Sequence, residues 1–339
     1  METNLKTLSA DEFALYIVDA GLPKYRAKQL LHWIYEKHAA SIQDITELSK
    51  DLRKKLSENA YIGSLSPIER LKSKDGTEKF LFGLEDNQTI ESVLIPDEDR
   101  LTLCISSQVG CAMGCRFCLT GKLGLKRNLL PHEIFDQIIS VSRSIKPKVI
   151  TNIVLMGMGE PLANFENVCV ALRRIVDLMK ISPRKITLST SGIAPKILEL
   201  PKNAPMVNLA ISLNATTDAV RDYIMPVNKT YPLRNLLDAC RRFPLPSRRR
   251  IFFEYVLLKG VNDSEEDAKR LVKLLKGIPL KLNLIPLNPF EGCAFEKPAD
   301  ADVLRFQEIL TAAKFTTLIR KSKGQDILAA CGQLKAKYK

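Results

Sequence analysis

Long apolar runs are the first thing this sequence lacks. No stretch reaches the roughly 18 uninterrupted apolar residues of a membrane-spanning helix, so no membrane association is expected. The opening residues, METNLKTLSADEF, hold no apolar signal-peptide core, and a cytoplasmic location is the default expectation. Internal repeats and low-complexity tracts are absent as well, so neither a solenoid nor a linker-like chain is expected. Acidic residues are in deficit: 38 Asp and Glu stand against 51 Lys and Arg, a net charge of +13. That surplus favours a polyanionic partner, although a protein that is merely basic explains it equally well.

What is present is enough for a sizeable core. Apolar residues make up 45% of 339 residues, a length that implies two units unless most of it forms one α/β barrel. Residues 1–60 read as a separate helical unit. The run LPKYRAKQLLHWIYEKH spaces Tyr25, Leu30, Leu31, Trp33 and Ile34 as a helix, with Leu22-Pro23 as its start signal. Residues 61–100 read as a small antiparallel extension, with turns at Asp75-Gly76 and Asp86-Asn87. From there the rhythm changes. Strand-like runs at 101–107, 149–156, 185–191, 207–213, 251–258 and 280–286 alternate with helical patterns such as PHEIFDQIISVSRSI and SEEDAKRLVKLLK. Six such units predict an α/β fold with a parallel, partial (βα)6 barrel over residues 101–325, whose chemistry belongs at the C-terminal strand ends. Residues 326–339 form a C-terminal segment that ends in a frayed basic tail, LKAKYK.

Eight cysteines are spread along the chain, and a reducing compartment makes a disulfide framework unexpected. Three of them, Cys111, Cys115 and Cys118, fall within eight residues, directly after the first barrel strand. Three thiolates can hold three irons of a [4Fe–4S] cluster and leave the fourth iron open to a small molecule. A ferredoxin-type cluster or a closed zinc site needs four protein ligands. No fourth Cys or His stands close by, the nearest being His132. A zinc site completed by a distant residue is the competing reading.

Other polar residues cluster at predicted strand ends. Gly157, Gly159 and Glu160 follow the second barrel strand, where an ordinary βα turn would serve as well. Ser189, Ser212, Leu213, Asn214 and Asn288 close later strands, where capping or turn roles are common. Taken alone, Cys104 and Cys331 read as buried structural thiols, and Glu91 as one acid among many. Basic groups occur at Lys24, Arg26 and Lys28; Lys122, Lys126 and Arg127; Arg173 and Arg174; Arg248 to Arg250; and Arg320, Lys321 and Lys323. Each is a solvated face or a nucleic-acid contact.

The cysteine triplet resembles that of the radical S-adenosylmethionine (SAM) superfamily. The segments LCISSQVGC, FCLTGKLGLKRNL, LMGMGEPLAN, LSTSGI, AISLNATTD, VNDS, NLIPLNPF and DILAACGQL narrow the match. Together they resemble the dual-specificity ribosomal and transfer RNA adenine C2 methyltransferase family, over about residues 10–335. The resemblance implies a radical SAM partial barrel with a small helical accessory domain that grasps RNA. It implies one [4Fe–4S] cluster on Cys111, Cys115 and Cys118, and two SAM molecules per turnover. SAM would be contacted by Gly159, Glu160, Ser189, Ser212, Leu213, Asn214 and Asn288; many relatives carry His at the Asn214 position. Cys331 would carry the methyl group, Cys104 would resolve a covalent intermediate, and Glu91 would move a proton. Cys169, Cys240 and Cys293 match no functional position of the family and are left as structural. The implied partners are 23S rRNA and tRNA and an electron donor such as flavodoxin or ferredoxin, with the protein a monomer. Chemistry supports a radical route, because adenine C2 lies between two ring nitrogens and is too electron-poor to attack a methyl cation donor. A C8 adenine methyltransferase of the same superfamily shares these residues; Pro161 after Gly159-Glu160 favours C2. A non-catalytic RNA-binding protein with a structural metal is the reading from another class.

The triplet generates a direct prediction. Cys111→Ala, Cys115→Ala or Cys118→Ala should remove bound iron and abolish reductive SAM cleavage, while circular dichroism still reports the N-terminal helices. A variant that retains SAM cleavage would contradict the cluster assignment.

Overall fold

The computed structural model describes residues 2–335; residue 1 and residues 336–339, most of the LKAKYK tail, lie outside the described residues. Two short parallel strands, β1 (Thr3–Asn4) and β2 (Ala60–Tyr61), close the N-terminal unit. Between them run α1 (Ala10–Asp19), α2 (Tyr25–Tyr35) and α3 (Lys50–Ser57). Ser9 and Glu12 start α1 with a reciprocal capping box, which satisfies two otherwise free backbone N–H groups. The predicted stripe on α2 buries Leu30 and Ile34.

The antiparallel extension consists of β3 (Pro67–Lys72), β4 (Glu78–Gly83) and β5 (Thr89–Asp97). It does not stand apart. β5 pairs antiparallel with the first barrel strand, β6 (Arg100–Cys104), so extension and barrel form one ten-stranded sheet. After β6 comes a small antiparallel ribbon, β7 (Gln108–Gly110) with β8 (Leu125–Asn128), which brackets the cysteine loop and the one-turn helix α4 (Leu119–Lys122). The chain then alternates: α5 (Pro131–Ser144), β9 (Asn152–Leu155), α6 (Phe165–Asp177), β10 (Ile186–Thr190), α7 (Ala194–Asn203) and β11 (Asn208–Ser212). It continues with α8 (Asp218–Ile224), α9 (Leu233–Arg242), β12 (Ile251–Leu257), α10 (Glu265–Leu275), β13 (Leu280–Pro286), α11 (Asp300–Ala312) and β14 (Thr317–Ile319). From β6 to β14 neighbouring strands are parallel and follow chain order, so all six predicted barrel strands are present. β14 and the β7–β8 ribbon are additions that the sequence pattern did not announce.

Strand parity explains why the barrel holds a site and not a packed core. On β12, Ile251, Phe253, Tyr255 and Leu257 bury against the helices. The alternate positions face the lumen, and there the side chains turn polar: Ser189, Ser212, Glu254 and Asn283 all take that parity on their strands.

The N-terminal unit is clasped to the barrel. Its apolar residues belong to the same hydrophobic cluster as the barrel helices. The fully buried Lys6 pairs with Asp136 of α5, whose second oxygen accepts the Leu65 N–H at 2.5 Å. Arg174 of α6 donates to the Lys6 carbonyl at 2.5 Å and lies over the Phe135 ring at 5.6 Å. Burial pushes the Lys6 ammonium below its usual value, and Asp136 opposes that shift. Removing one member of such a pair leaves an uncompensated buried charge. Lys6→Ala should therefore lower unfolding free energy in urea by about 3–5 kcal/mol. A loss under about 1 kcal/mol, typical of an exposed pair, would contradict this reading of the clasp.

Candidate active site at the barrel mouth

The cysteine loop is held by its own backbone. The Cys111 N–H donates to the Gly124 carbonyl at 2.9 Å, and the Cys118 N–H donates to the Cys115 carbonyl at 3.1 Å. Burial raises all three thiols: Cys111 goes up to about 12, Cys115 well above its ordinary value, and Cys118 upward. Opposing groups favour the thiolates. The Met113 N–H points at Cys111, and those of Gly121 and Thr120 at Cys118. The buried Arg221 guanidinium faces Cys115. Cys111 and Cys118 lie near enough to Cys115 for their charges to act on it. Three neighbouring thiols, aided by N–H donors and one cation, fit an anionic iron–sulfur cluster.

Arg221 is a site residue that the sequence did not single out. It is fully buried, and burial lowers it to about 10. It donates to the carbonyls of Leu213 at 2.9 Å, Ser191 at 2.6 Å and Ser212 at 3.1 Å, lacing the ends of β10 and β11 together. The only local signal was a cation inside the helix ATTDAVRDYI.

The predicted SAM contacts fall into two groups. Ser189 and Ser212 meet across adjacent strands, with their hydroxyls 3.5 Å apart, half-buried and facing the lumen. Glu160 is buried, and burial raises its carboxyl while N–H donors oppose that. Its oxygens accept from Leu162 at 3.0 Å and Ser191 at 2.6 Å, so it ties the GMGEP turn to the end of β10. The glycines of this turn have a packing reason. A Cβ on Gly159, at φ +104°, would lie 2.6 Å from Gln108, and one on Gly157 would lie 2.7 Å from the Ile105 carbonyl. The other positions are more occupied by the protein itself. Leu213 lies in the apolar core. Asn214 is buried at φ +58°; its Oδ1 accepts from the Val256 N–H at 2.8 Å and its Nδ2 reaches the Met225 sulfur at 3.1 Å. Asn288 donates to the Cys331 carbonyl at 3.3 Å and accepts from Gln325 at 2.8 Å.

The C-terminal segment crosses this mouth as a strap. Its start is fixed by the β3–β4 turn: Asp75 accepts the Gly324 N–H at 2.8 Å, and Asp326 accepts the Ser73 hydroxyl at 2.6 Å. Burial, the largest single influence, pushes the Asp75 carboxyl up, but donors from Thr77, the Gly324 N–H and Ser73 together outweigh it and carry it down to about 2. Its end is fixed by Glu91, which pairs with Lys79 at 3.0 Å and accepts the Lys335 N–H at 2.9 Å. In the middle, the Leu119 N–H donates to the Gly332 carbonyl at 2.7 Å, and a Cβ on Gly332 would stand 3.3 Å from the Phe117 carbonyl. The strap thereby carries Cys331 between the cysteine loop, bonded at Gly332, and the Cys104 cluster, joined by Ala329 and Leu334. Cys104 lies in one small apolar cluster with Ala329 and Leu334, and the charge of Cys331 acts on it. Cys331 in turn feels Cys118. Its surface is accessible although protein crowds it on most sides, as for a group lining the lumen. Burial raises its thiol, Glu254 adds to that and Arg320 opposes it. Glu254, itself raised by burial and bonded by Asn283 at 2.8 Å, is another lumen residue that the sequence reading passed over. Its signal was a single acid inside the apolar strand IFFEYVLL.

Several basic groups turn out to be structural. Arg127 binds Glu133 at 2.7 and 2.8 Å and Asp86 at 2.5 Å, Arg174 serves the N-terminal clasp, and Arg249 donates to the Met206 carbonyl.

A parallel partial barrel with a three-cysteine loop after its first strand and polar strand ends around it defines a radical SAM protein. Comparisons agree. Residues 105–272 match the radical SAM superfamily, and residues 3–62 match the ribosomal RNA large subunit methyltransferase N-terminal domain. A dual-specificity RNA methyltransferase RlmN from Geobacter sulfurreducens is 53% identical over 98% of this chain and 92% of its own. A second, from Pelobacter propionicus, is 52% identical over 99% and 96%. The crystal structure of a radical SAM methyltransferase from Sphaerobacter thermophilus superposes with a TM-score of 0.94 at 41% identity, covering 99% and 100% of the two chains. The chain belongs to the RlmN family of radical SAM methyltransferases, and as a member it carries a [4Fe–4S] cluster and uses SAM.

Burial makes Cys104 a poor nucleophile in the resting protein, with its thiol pushed up to about 12. An acid with a raised pKa keeps its proton longer as pH rises, so the alkylation rate of Cys104 should still be climbing beyond about pH 10. An ordinary thiol, half ionised at about pH 8.5, has levelled off by about pH 10. Mass-spectrometric mapping of iodoacetamide labelling across pH tests this, and a plateau for Cys104 reached by about pH 10 would contradict it.

Proposed function

We infer that this protein methylates C2 of adenine in RNA, with 23S rRNA and tRNA as its substrates, through a methyl group carried on Cys331. The observation that carries the reading is the strap that holds Cys331 beside both Cys104 and the cysteine loop. Membership of an RNA methyltransferase family sets aside the non-catalytic alternative. When bound, the cluster and SAM supply a strong hydrogen-atom abstractor that an all-polar protein cannot provide.

The chain's own residues do the rest. Cys111, Cys115 and Cys118 are the three cluster ligands. Ser189, Ser212 and the GMGEP turn with Gly159 and Glu160 line the place for SAM, while Leu213, Asn214 and Asn288 shape that place from behind. Cys331 would take a methyl group from one SAM, and a second SAM would supply the abstractor that removes one hydrogen atom from that methyl group, two per turnover. Carbon–carbon bonding to adenine C2 then joins the base to the Cys331 sulfur through a methylene. Glu91, buried at the edge of the strap, takes the C2 proton, and the one surplus electron of the adduct would pass to the bound cluster. The Cys104 thiolate attacks the Cys331 sulfur; the carbon–sulfur bond breaks with its electron pair left on the methylene carbon, a Cys104–Cys331 disulfide forms, and the carbon takes a proton back from Glu91 to leave as methylated adenine. Reduction of that disulfide by a dithiol restores both thiols. The helical N-terminal domain, residues 1–60, grasps RNA, and a flavodoxin or ferredoxin supplies electrons. No helix among the described residues is long and apolar enough to cross a membrane. We take the enzyme to act as a cytoplasmic monomer.

Cys104→Ala should stall as a covalent protein–RNA adduct, because the attacking thiol is missing and the methyl-bearing one is intact. Cys331→Ala, alone or combined with Cys104→Ala, should give no adduct. Denaturing gels with labelled RNA read the shifted band; normal turnover by Cys104→Ala, or a band that persists without Cys331, would overturn the two-cysteine route.

A further inference from the structure

We propose that Arg116 and Tyr223 form a stacking site at the barrel mouth for a nucleobase of the RNA strand flanking the target adenine. The proposal rests on the RNA methyltransferase reading above and deepens it by naming where the strand is gripped.

Three loops, each following a different barrel strand, build this ledge. Arg116 lies in the cysteine loop after β6, next to Cys115. Tyr223 lies on α8 after β11, and Phe295 in the loop after β13. The Arg116 guanidinium lies over the Tyr223 ring, 4.4 Å from its centroid. Phe295 meets the same ring edge-on at 6.0 Å and 81°. The main chain fixes the pair, because the Arg116 N–H donates to the Ile224 carbonyl at 3.0 Å. A Cβ on Gly114 would stand only 3.7 Å from Pro226, so the cysteine loop already packs on the turn after α8. The ledge therefore shares a backbone anchor with the cysteine loop and lies beside it.

A single exposed tyrosine needs no explanation. What sets this one apart is the state of its cation. Arg127, Arg174 and Arg221 are spent on carboxylates or carbonyls inside the fold. Among the described residues Arg116 makes no ion pair and no side-chain hydrogen bond, and the Tyr223 hydroxyl has no partner. Tyr223 keeps 48% of its surface exposed. A planar cation stacked on an aromatic ring, unpaired and open to solvent, offers a π-face for a base and a charge for the adjoining phosphate. Single-stranded RNA is recognised by this combination, with unstacked bases laid on aromatic rings or guanidinium planes. The net charge of +13 favours a polyanion over an acidic peptide patch of limited charge. Stacking is tolerant of base identity. Such a grip would serve two RNA substrates whose flanking sequences differ, where a hydrogen-bonded reader would serve one.

The test uses the full-length, cluster-containing protein and a synthetic RNA stem-loop with one loop adenine and 2-aminopurine at a flanking loop position. Binding to wild-type protein should quench the 2-aminopurine fluorescence. Tyr223→Ala should weaken binding by roughly 5- to 100-fold and abolish the quenching, raising KM for RNA while kcat at saturating RNA is kept. Tyr223→Phe should bind and quench like the wild type. Arg116→Ala should also reduce the slope of log affinity against log salt by about 0.7, one single-strand phosphate. Iron content and thermal unfolding, measured for each variant, separate loss of the ledge from loss of the fold. Methylation is read separately from binding. A wild-type protein that binds this RNA without methylating any RNA substrate would contradict the proposed function and leave the stacking result decisive on its own. Tyr223→Ala that binds and quenches like the wild type, with its fold and iron intact, would overturn the stacking site.

Discussion

The structure depends on a short C-terminal strap being pinned on every side. Asp75 and Asp326 exchange hydrogen bonds with each other's loops, so the β3–β4 turn and the start of the strap fix one another. Glu91 anchors the far end, the Gly332 carbonyl anchors the middle to the cysteine loop, and Asn288 holds Cys331 from the loop after β13. Each contact alone is modest, roughly 1 kcal/mol or somewhat more where a carboxylate accepts. Their value is geometric: four separate parts of the chain agree on where one sulfur sits. The antiparallel extension earns its place here, because its lumen-side face, with Lys79, Glu91 and Val93, is the surface on which the strap lies.

Around that sulfur the protein separates charge from burial with care. The thiols are kept protonated by burial until something better than water stabilises their anions. N–H groups at Cys111 and Cys118 and the Arg221 cation at Cys115 are preset for that purpose. Arg221 also laces the strand ends that carry Ser191, Ser212 and Leu213. One buried cation therefore links the electrostatics of the cysteine loop to the shape of the neighbouring cofactor place. Glu254 and Arg320 act on Cys331 from the lumen with opposite signs.

Much of this was legible in the chain. The six barrel strands announced themselves as apolar runs, because one face of each must bury against helices, and the extension's turns carried Asp-Gly and Asp-Asn. The Cys111, Cys115 and Cys118 spacing was local and therefore readable. What local pattern cannot carry is pairing between distant segments. The Lys6–Asp136 clasp, the continuity of β5 with β6 and the three-residue edge strand β14 depend on partners far away in sequence. The nearness of Cys331 to Cys104 came only from family resemblance, since neither residue's surroundings in sequence differ from those of an ordinary buried thiol. Glu254 and Arg221 were missed because a buried charge looks like a surface charge until its neighbours are known. Asn214 stands at the end of β11 as its place in sequence predicts, and its amide partners, the Val256 N–H and the Met225 sulfur, were not legible in any local pattern.

The central claim is that the strap presents Cys331 to Cys104 and to no other free thiol. Mild diamide oxidation of the cluster-loaded protein, followed by digestion and mass spectrometry without reduction, measures this directly. With Cys111, Cys115 and Cys118 proposed as the cluster ligands, Cys104, Cys169, Cys240, Cys293 and Cys331 are left to react. The account predicts one dominant cross-link, between Cys104 and Cys331. Cys331 recovered free, or joined to Cys293 in its place, would contradict it.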